Sequence, residues 1–335
     1  MNLIDAIYIH EAGGKELLKI IIEEIEKDKF IFLLDSRLDL PKRYIDSIKY
    51  KVIRPSEKTR KEFYNNNVNS YNKVICLSNV PPPRKISSKV YIYFHNDLLL
   101  TTRASKQSLI SSITLWLKQK YIISKNFKNY TWVVQTNLMK NNLNKFIIKG
   151  KNKIVVFPIF RDQVTKAKNK KTPNTYLCVS NHNKHKNIIN LISAFKLYSS
   201  NQIEPIDLNL TIEKDYFNRY LAHIIPKGGS VSVNNHGQLE KNELNKLYKK
   251  SKYYIYQSLK ESLGITLIEA TSYGCDIICS DLEYSYQVVS PSLVFDPNSV
   301  KSIYSAILKS KSDKSLIRSK LMIKNKSDKF IEYIN

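Results

Sequence analysis

The sequence predicts an α/β protein built from two doubly wound domains that face each other across a ligand-binding cleft. Apolar runs of strand length alternate with helix-length stretches whose apolar residues recur every three or four positions. That is the pattern of a parallel sheet covered on both faces. The alternation runs twice, in two series separated by a polar, lysine-rich stretch. The chain has 335 residues and is 42% hydrophobic, enough to build two cores of ordinary size.

In the first series, residues 6–10 read as a strand and Gly13-Gly14 as a tight loop. Residues 15–25 read as a helix with Leu17, Leu18, Ile21, Ile22 and Ile25 on one face. Further strands are expected at 30–34, 73–77, 90–94, 131–135 and 153–157, and helices at 104–123 and 136–145. The stripe Leu109, Ile113, Trp116, Leu117 and Tyr121 on the 104–123 helix has the spacing of a core-facing surface. Residues 166–174 read as a linker. In the second series, strands are expected at 176–179, 208–212, 231–233, 253–256 and 276–279. Helices follow at 187–198, 241–250, from Gly264 to about Tyr273, and at 300–308. The expected domains are therefore 1–165 and 175–312, with a charged C-terminal helix over 313–335 that packs back on the first domain.

Composition narrows the class. No run of eighteen apolar residues is present, which argues against a spanning helix. The opening Met1-Asn2-Leu3-Ile4-Asp5 lacks the basic region and cleavage site of a secretory signal. Cys76, Cys178, Cys275 and Cys279 lie in or beside apolar runs without metal-ligand spacing, as reduced buried thiols do. The expected location is the cytoplasm, at the inner face of the cytoplasmic membrane. The formal net charge is +25, part of which reflects a composition rich in Lys, Asn, Ile and Tyr. Between Asp97 and Asp162 there is no acidic residue but twelve lysines and arginines. Such an interval either attracts anionic lipid, a diphosphate-linked substrate or nucleic acid, or is a solvated basic face.

The richest stretch is Glu261-Ser-Leu-Gly-Ile-Thr-Leu-Ile-Glu269. A buried strand ending at Gln257-Ser258 feeds a helix that starts near Gly264, so free backbone N–H groups and a positive dipole end point off the sheet. This is an anion site suited to phosphate. Carboxylates beside a phosphate would repel it, so Glu261 and Glu269 are expected to accept hydrogen bonds from sugar or ribose hydroxyls on either side. Lys186, a cation at a helix start, implies an anion in front of it. His182 and His185 are three apart, but no third ligand of the kind a metal needs lies near them in sequence.

These residues belong to a longer ordered series. Tyr176-Leu-Cys-Val-Ser180, Lys184-His-Lys-Asn187, Leu191-Ile-Ser-Ala-Phe195, Glu243-Leu244, Leu247-Tyr248, the Glu261–Glu269 segment, Gly274-Cys275 and Ile278-Cys-Ser-Asp281 follow one another in order. The series resembles the C-terminal domain of retaining GT-B glycosyltransferases of family 4, of the bacterial surface-polysaccharide type. The resemblance implies two Rossmann-like domains and a nucleotide-diphosphate sugar donor. It gives Glu269 the ribose hydroxyls, Glu261 the donor sugar, and the backbone at Gly264, Ile265 and Thr266 the diphosphate, with Lys186 paired to it. In the first half it likens His95 to a histidine near the reacting carbon. It likens Gly13 and Gly14 to a loop where backbone approaches phosphates and acceptor. It also implies transfer with retention and without a metal ion, to a glycan or polyprenyl-diphosphate-linked acceptor. Asn181 stands where the family usually has an arginine, which removes a bidentate phosphate partner. Leu263 replaces a common phenylalanine, and Asp276 a proline.

Two other readings fit parts of the sequence. A nucleic-acid-binding protein would use the charge and the 22 tyrosines, although no matching motif is present. A nucleotide-sugar epimerase would keep the fold and change the chemistry.

Overall fold

The computed structural model describes residues 1–67, 70–100, 109–148, 150, 152–163, 170–225, 228–313 and 315–335. They divide into two compact units, Met1–Asp162 with Lys324–Asn335, and Gln163–Ile323.

The first unit contains β1 (Asn2–Ala6), α1 (Ala12–Glu24), β2 (Phe30–Asp35), the single turn α2 (Lys42–Ile45), β3 (Lys49–Ile53), α3 (Glu57–Asn66), β4 (Lys73–Cys76) and β5 (Lys89–Tyr93). It continues with α4 (Leu109–Ser124), β6 (Tyr130–Val134), α5 (Asn137–Leu143) and β7 (Lys153–Val156). The strands form one parallel seven-stranded sheet in the order β3-β2-β1-β4-β5-β6-β7. The order reverses between β1 and β4, so the loops after these strands flank the switch point where ligands bind in doubly wound sheets.

The second unit contains β8 (Thr172–Cys178), α6 (Ile188–Asn201), β9 (Ile206–Leu210), the short α7 (Lys214–Tyr216), β10 (Val231–Asn235), α8 (Lys241–Lys250) and β11 (Ser251–Tyr256). Then come α9 (Ile265–Ser272), β12 (Asp276–Ser280), α10 (Glu283–Val288), β13 (Val289–Ser290), β14 (Leu293–Phe295), α11 (Val300–Ser312) and β15 (Lys320–Leu321). Its parallel sheet runs β10-β9-β8-β11-β12-β14, and its switch point lies between β8 and β11. A small antiparallel pair joins β13 to β15. The closing helix α12 (Ser327–Ile334) buries Phe330, Ile331 and Ile334 in the first unit's core, against the α1 side of that sheet.

Several elements differ from the sequence reading. The first strand is Asn2–Ala6 and not 6–10. Asp5 disguises it, because a carboxylate inside an apolar run hides the pattern. Arg60, fully buried, donates to Asp5 through Nε at 2.9 Å, and Tyr64 adds its hydroxyl at 2.7 Å. A buried charge is tolerable only with such partners. Residues 7–10 are a loop in which Tyr8 takes a left-handed conformation at φ 74°. Gly13 and Gly14 lie in the first turn of α1, not in a loop before it. The strand β3 (KYKVI) was missed because it is an exposed edge strand whose lysines obscure the apolar period. Thr172 already begins β8 inside the expected linker; residues 164–169 lie outside the description.

The expected C-terminal helix is confined to α12. Residues 315–319 and 322–326 carry no helix and flank the two-residue strand β15, because only Phe330, Ile331 and Ile334 supply a helical apolar face. Residues 104–108 of the expected 104–123 helix also lie outside the description. Within α4, Ile113, Trp116 and Leu117 are exposed, so these three residues of the stripe read as core face outward, whereas Tyr121 packs inward and the side chain of Leu109 lies outside the description.

Candidate active site

The second unit gathers its site residues in the loops after β8 and β11. After β8 the chain makes a 3-10 turn, Lys184–Lys186, which ends at Asn187 in a left-handed conformation. Asn187 Nδ2 donates to the Pro297 carbonyl at 2.6 Å. Gln257 Nε2 donates to the Lys186 carbonyl at 2.7 Å, and the Leu259 N–H to the His185 carbonyl at 2.7 Å. The two loops are thereby tied together, and Lys186 Nζ meets Glu261 Oε1 at 2.6 Å. Both side chains are largely buried. Ser258 Oγ donates to the same carboxylate oxygen at 2.6 Å, and Lys186 also lies 3.3 Å from the Tyr256 hydroxyl. Burial, followed by the Glu261 charge, pushes the Tyr256 pKa well above its ordinary value.

Gly264 caps α9 at φ 69° and ψ 56°, a conformation that favours glycine. A Cβ there would also stand 3.2 Å from Leu267 Cδ1. Leu267 and Ile268 send their N–H groups back to the Gly264 carbonyl, at 2.9 and 3.4 Å. The Ile265 and Thr266 N–H groups precede the first possible intrahelical acceptor and point off the helix start. Glu269 sits one turn further on. It accepts from the Tyr248 hydroxyl at 3.0 Å and from Lys241 Nζ. Both glutamates bear on the buried Tyr254 hydroxyl, whose pKa rises first through burial and then through neighbouring charge.

Thus Glu261, Gly264, Ile265, Thr266 and Glu269 lie along one segment, and Lys186 joins it from the β8 loop through its pair with Glu261. Asn181 lies in the same β8 loop, where its Oδ1 accepts from the Asn183 N–H at 3.2 Å. His182 pairs with Glu213 at 2.7 Å and stacks on Tyr216 with ring centroids 4.6 Å apart. Among the described residues, no group of three or more His, Cys, Asp or Glu is arranged to hold a metal ion.

The first unit brings Gly14 close to His95, and Gly13 precedes it in the first turn of α1. His95 follows β5, and its N–H donates to Asn79 Oδ1 at 2.6 Å. Its Nε2 lies 3.1 Å from the Leu77 carbonyl and 3.4 Å from Asn79 Nδ2. A carbonyl can only accept, so the shorter contact puts the proton on Nε2 and leaves Nδ1 as an acceptor. Burial lowers the His95 pKa to about 4, against a smaller opposing effect of the Leu77 bond. The imidazole is therefore neutral at physiological pH. A Cβ on Gly14 would stand 3.4 Å from Ile9 and 3.8 Å from His95 Cε1, ordinary van der Waals contact that leaves room for a methyl group.

Sequence reasoning missed Lys241, Ser258, Tyr256 and Asn79. Lys241 was detectable: it is a cation in the first turn of α8, where the dipole disfavours it, and it holds Glu269 as Lys186, which precedes α6, holds Glu261. The other three become visible only through tertiary contact.

Two doubly wound parallel sheets, each with its polar residues at the switch point, define a GT-B glycosyltransferase fold. The model of the family described as glycosyl transferases group 1 matches residues 160–333, and the chain belongs to that family. The chain is 29% identical over 132 residues to O-antigen chain mannosyltransferase B of Escherichia coli. That match covers 39% of this chain and about a third (35%) of the relative's length. Sucrose-phosphate synthase (tll1590) from Thermosynechococcus elongatus has a similar fold, with a TM-score of 0.67 at 14% identity over 93% of this chain and 90% of that one. The lipopolysaccharide outer core galactosyltransferase WaaB gives a TM-score of 0.62 at 15% identity over 99% and 94%.

Proposed function

We propose that the protein moves a sugar, with retention of anomeric configuration, from a nucleotide-diphosphate sugar to a saccharide or polyprenyl-diphosphate-linked acceptor in surface-polysaccharide synthesis. The observation that carries this reading is the Lys186–Glu261 pair beside the free N-terminus of α9, with Glu269 one turn along it. Two carboxylates that accept from hydroxyls, a lysine and two unbonded N–H groups form the set that a sugar, a diphosphate and a ribose require. The names of the O-antigen and lipopolysaccharide enzymes among its likenesses support the acceptor class.

In this proposal Glu269 holds the ribose hydroxyls and Glu261 the donor sugar. Lys186 and the Gly264–Thr266 backbone hold the diphosphate, with Asn181 beside it. Each glutamate pairs with a lysine, Glu261 with Lys186 and Glu269 with Lys241. Ligand hydroxyls take the place of these ammonium donors, and the released Lys186 meets phosphate oxygen. The bond from the anomeric carbon to phosphate breaks through an oxocarbenium-like state, and the leaving charge is stabilised by Lys186 and the helix start. The acceptor oxygen forms the new bond and its proton passes to the departing phosphate. Neutral His95 offers Nδ1 to a sugar hydroxyl without adding a positive charge beside the cationic centre. Gly13 and Gly14 let backbone approach the substrates. No metal takes part in this scheme, and it operates at the cytoplasmic face of the membrane, which the basic first unit touches peripherally.

The test is a thermal-shift panel of UDP, GDP and ADP with their sugars. One nucleotide class should raise Tm by about 5 °C or more at a hundredfold excess over Kd, and Glu269→Ala should remove the shift. No shift from any member sinks the reading.

A further inference from the structure

The helix α4 carries its apolar stripe on the wrong side for a soluble surface. Ile113, Trp116 and Leu117 fall at i, i+3 and i+4 on one face, and they are 57%, 54% and 55% exposed. The opposite side is already engaged. Ile122 is buried, Gln119 donates to the Leu99 carbonyl at 2.8 Å, and the Tyr121 hydroxyl donates to Glu57. Rotation of the helix to bury Trp116 would break those contacts. A solvated helix normally turns polar residues outward, and a contiguous apolar strip flanked by charge marks a docking surface.

The charges identify the occupant. Lys118 and Lys120 are exposed on the same helix, and Lys120 Nζ lies 5.6 Å from the centre of the Trp116 ring. No carboxylate occurs in sequence between Asp97 and Asp162. A second copy docked through this face would set lysine against lysine. An anionic bilayer complements both parts: the rings and aliphatic chains enter the headgroup boundary and the ammonium groups pair with lipid phosphate. Among the described residues no helix is long and apolar enough to cross a membrane.

We propose that the Ile113–Trp116–Leu117 face of α4, flanked by Lys118 and Lys120, inserts into the interface of an anionic lipid bilayer. This deepens the functional reading and rests on its lipid-linked acceptor. It goes beyond charge attraction by assigning the inserted side chains.

The chain has two tryptophans, and Trp132 is fully buried, so a change in emission on binding reports Trp116. Vesicles of equal parts phosphatidylglycerol and phosphatidylcholine should shift the emission to the blue, and brominated acyl chains should quench it. Pure phosphatidylcholine vesicles should bind far more weakly. Trp116→Ala with Leu117→Ala should lower partitioning at least tenfold, and Lys118→Gln with Lys120→Gln about fivefold per lysine. Three outcomes overturn the proposal: no binding to the anionic vesicles, binding indifferent to the Trp116/Leu117 pair, or a lipid-free blue shift that grows with protein concentration and marks a second copy. Nucleotide thermal shifts are read on the same variants. Lipid binding lost with those shifts intact is the expected result for the Trp116/Leu117 variant. Wild-type lipid binding without any nucleotide shift defeats only the functional reading.

Discussion

At the sheet edge of the second unit, two glutamates each hold a lysine, whereas at the sheet edge of the first unit a histidine is kept neutral with its proton fixed on Nε2. Both edges lie at the switch point of a doubly wound sheet, so the topology is the same and the treatment of charge is not. The loops after β8 and β11 are rich in polar side chains, and the two carboxylates there accept from Ser258, Lys186, Tyr248 and Lys241. The loops after β4 and β5 surround His95 with the apolar Leu77 and Tyr93, and burial removes its charge instead. The first edge presents a neutral imidazole, the second two lysine–glutamate ion pairs.

That contrast can be broken most sharply at Lys186. Lys186→Ala should lower kcat/KM by two to three orders of magnitude, about 3–4 kcal/mol of transition-state stabilisation. Ser258 still donates to Glu261 in the variant, so folding stability should fall by only about 1 kcal/mol in urea unfolding. A variant that is strongly destabilised yet turns over normally would make the pair structural.

The histidine edge makes a pH prediction. The folded pKa of about 4 lies below the ordinary value of 6.5, so the unfolded chain takes up the proton first. This contribution to stability is complete above pH 6.5 and is lost as pH falls toward 4, by up to about 3 kcal/mol. The difference in unfolding free energy between wild type and His95→Gln should narrow over that window. A constant difference would show that His95 titrates normally.

The smallest effect sharpens the role of the glycine. Gly264→Ala should cost about 1–2 kcal/mol of stability, because a side chain is strained at φ 69° and crowds Leu267. Stability equal to wild type would mean that the α9 start relaxes without strain.

The helix α9 was legible in detail, since its strand, glycine, apolar period and glutamates all fall within one short segment. Helix α4 was legible only as a period. Periodicity shows that an apolar stripe exists but not which side of the helix meets the protein, and here Gln119, Tyr121 and Ile122 settle the orientation. The first strand was displaced in the reading because the partner that lets Asp5 sit inside it, Arg60, is 55 residues away.

The sequence by itself determined the α/β class, the two series of elements and the ordered motif from Tyr176 to Asp281 that marks the family, because those signals are local in the chain. Tertiary structure alone decided that Lys186 holds Glu261, that Lys241 covers Glu269, that Leu77 fixes the proton of His95 and that Trp116 faces outward. Each of these depends on a partner distant in sequence or on the direction a side chain takes once the sheet has formed, and neither is encoded in spacing.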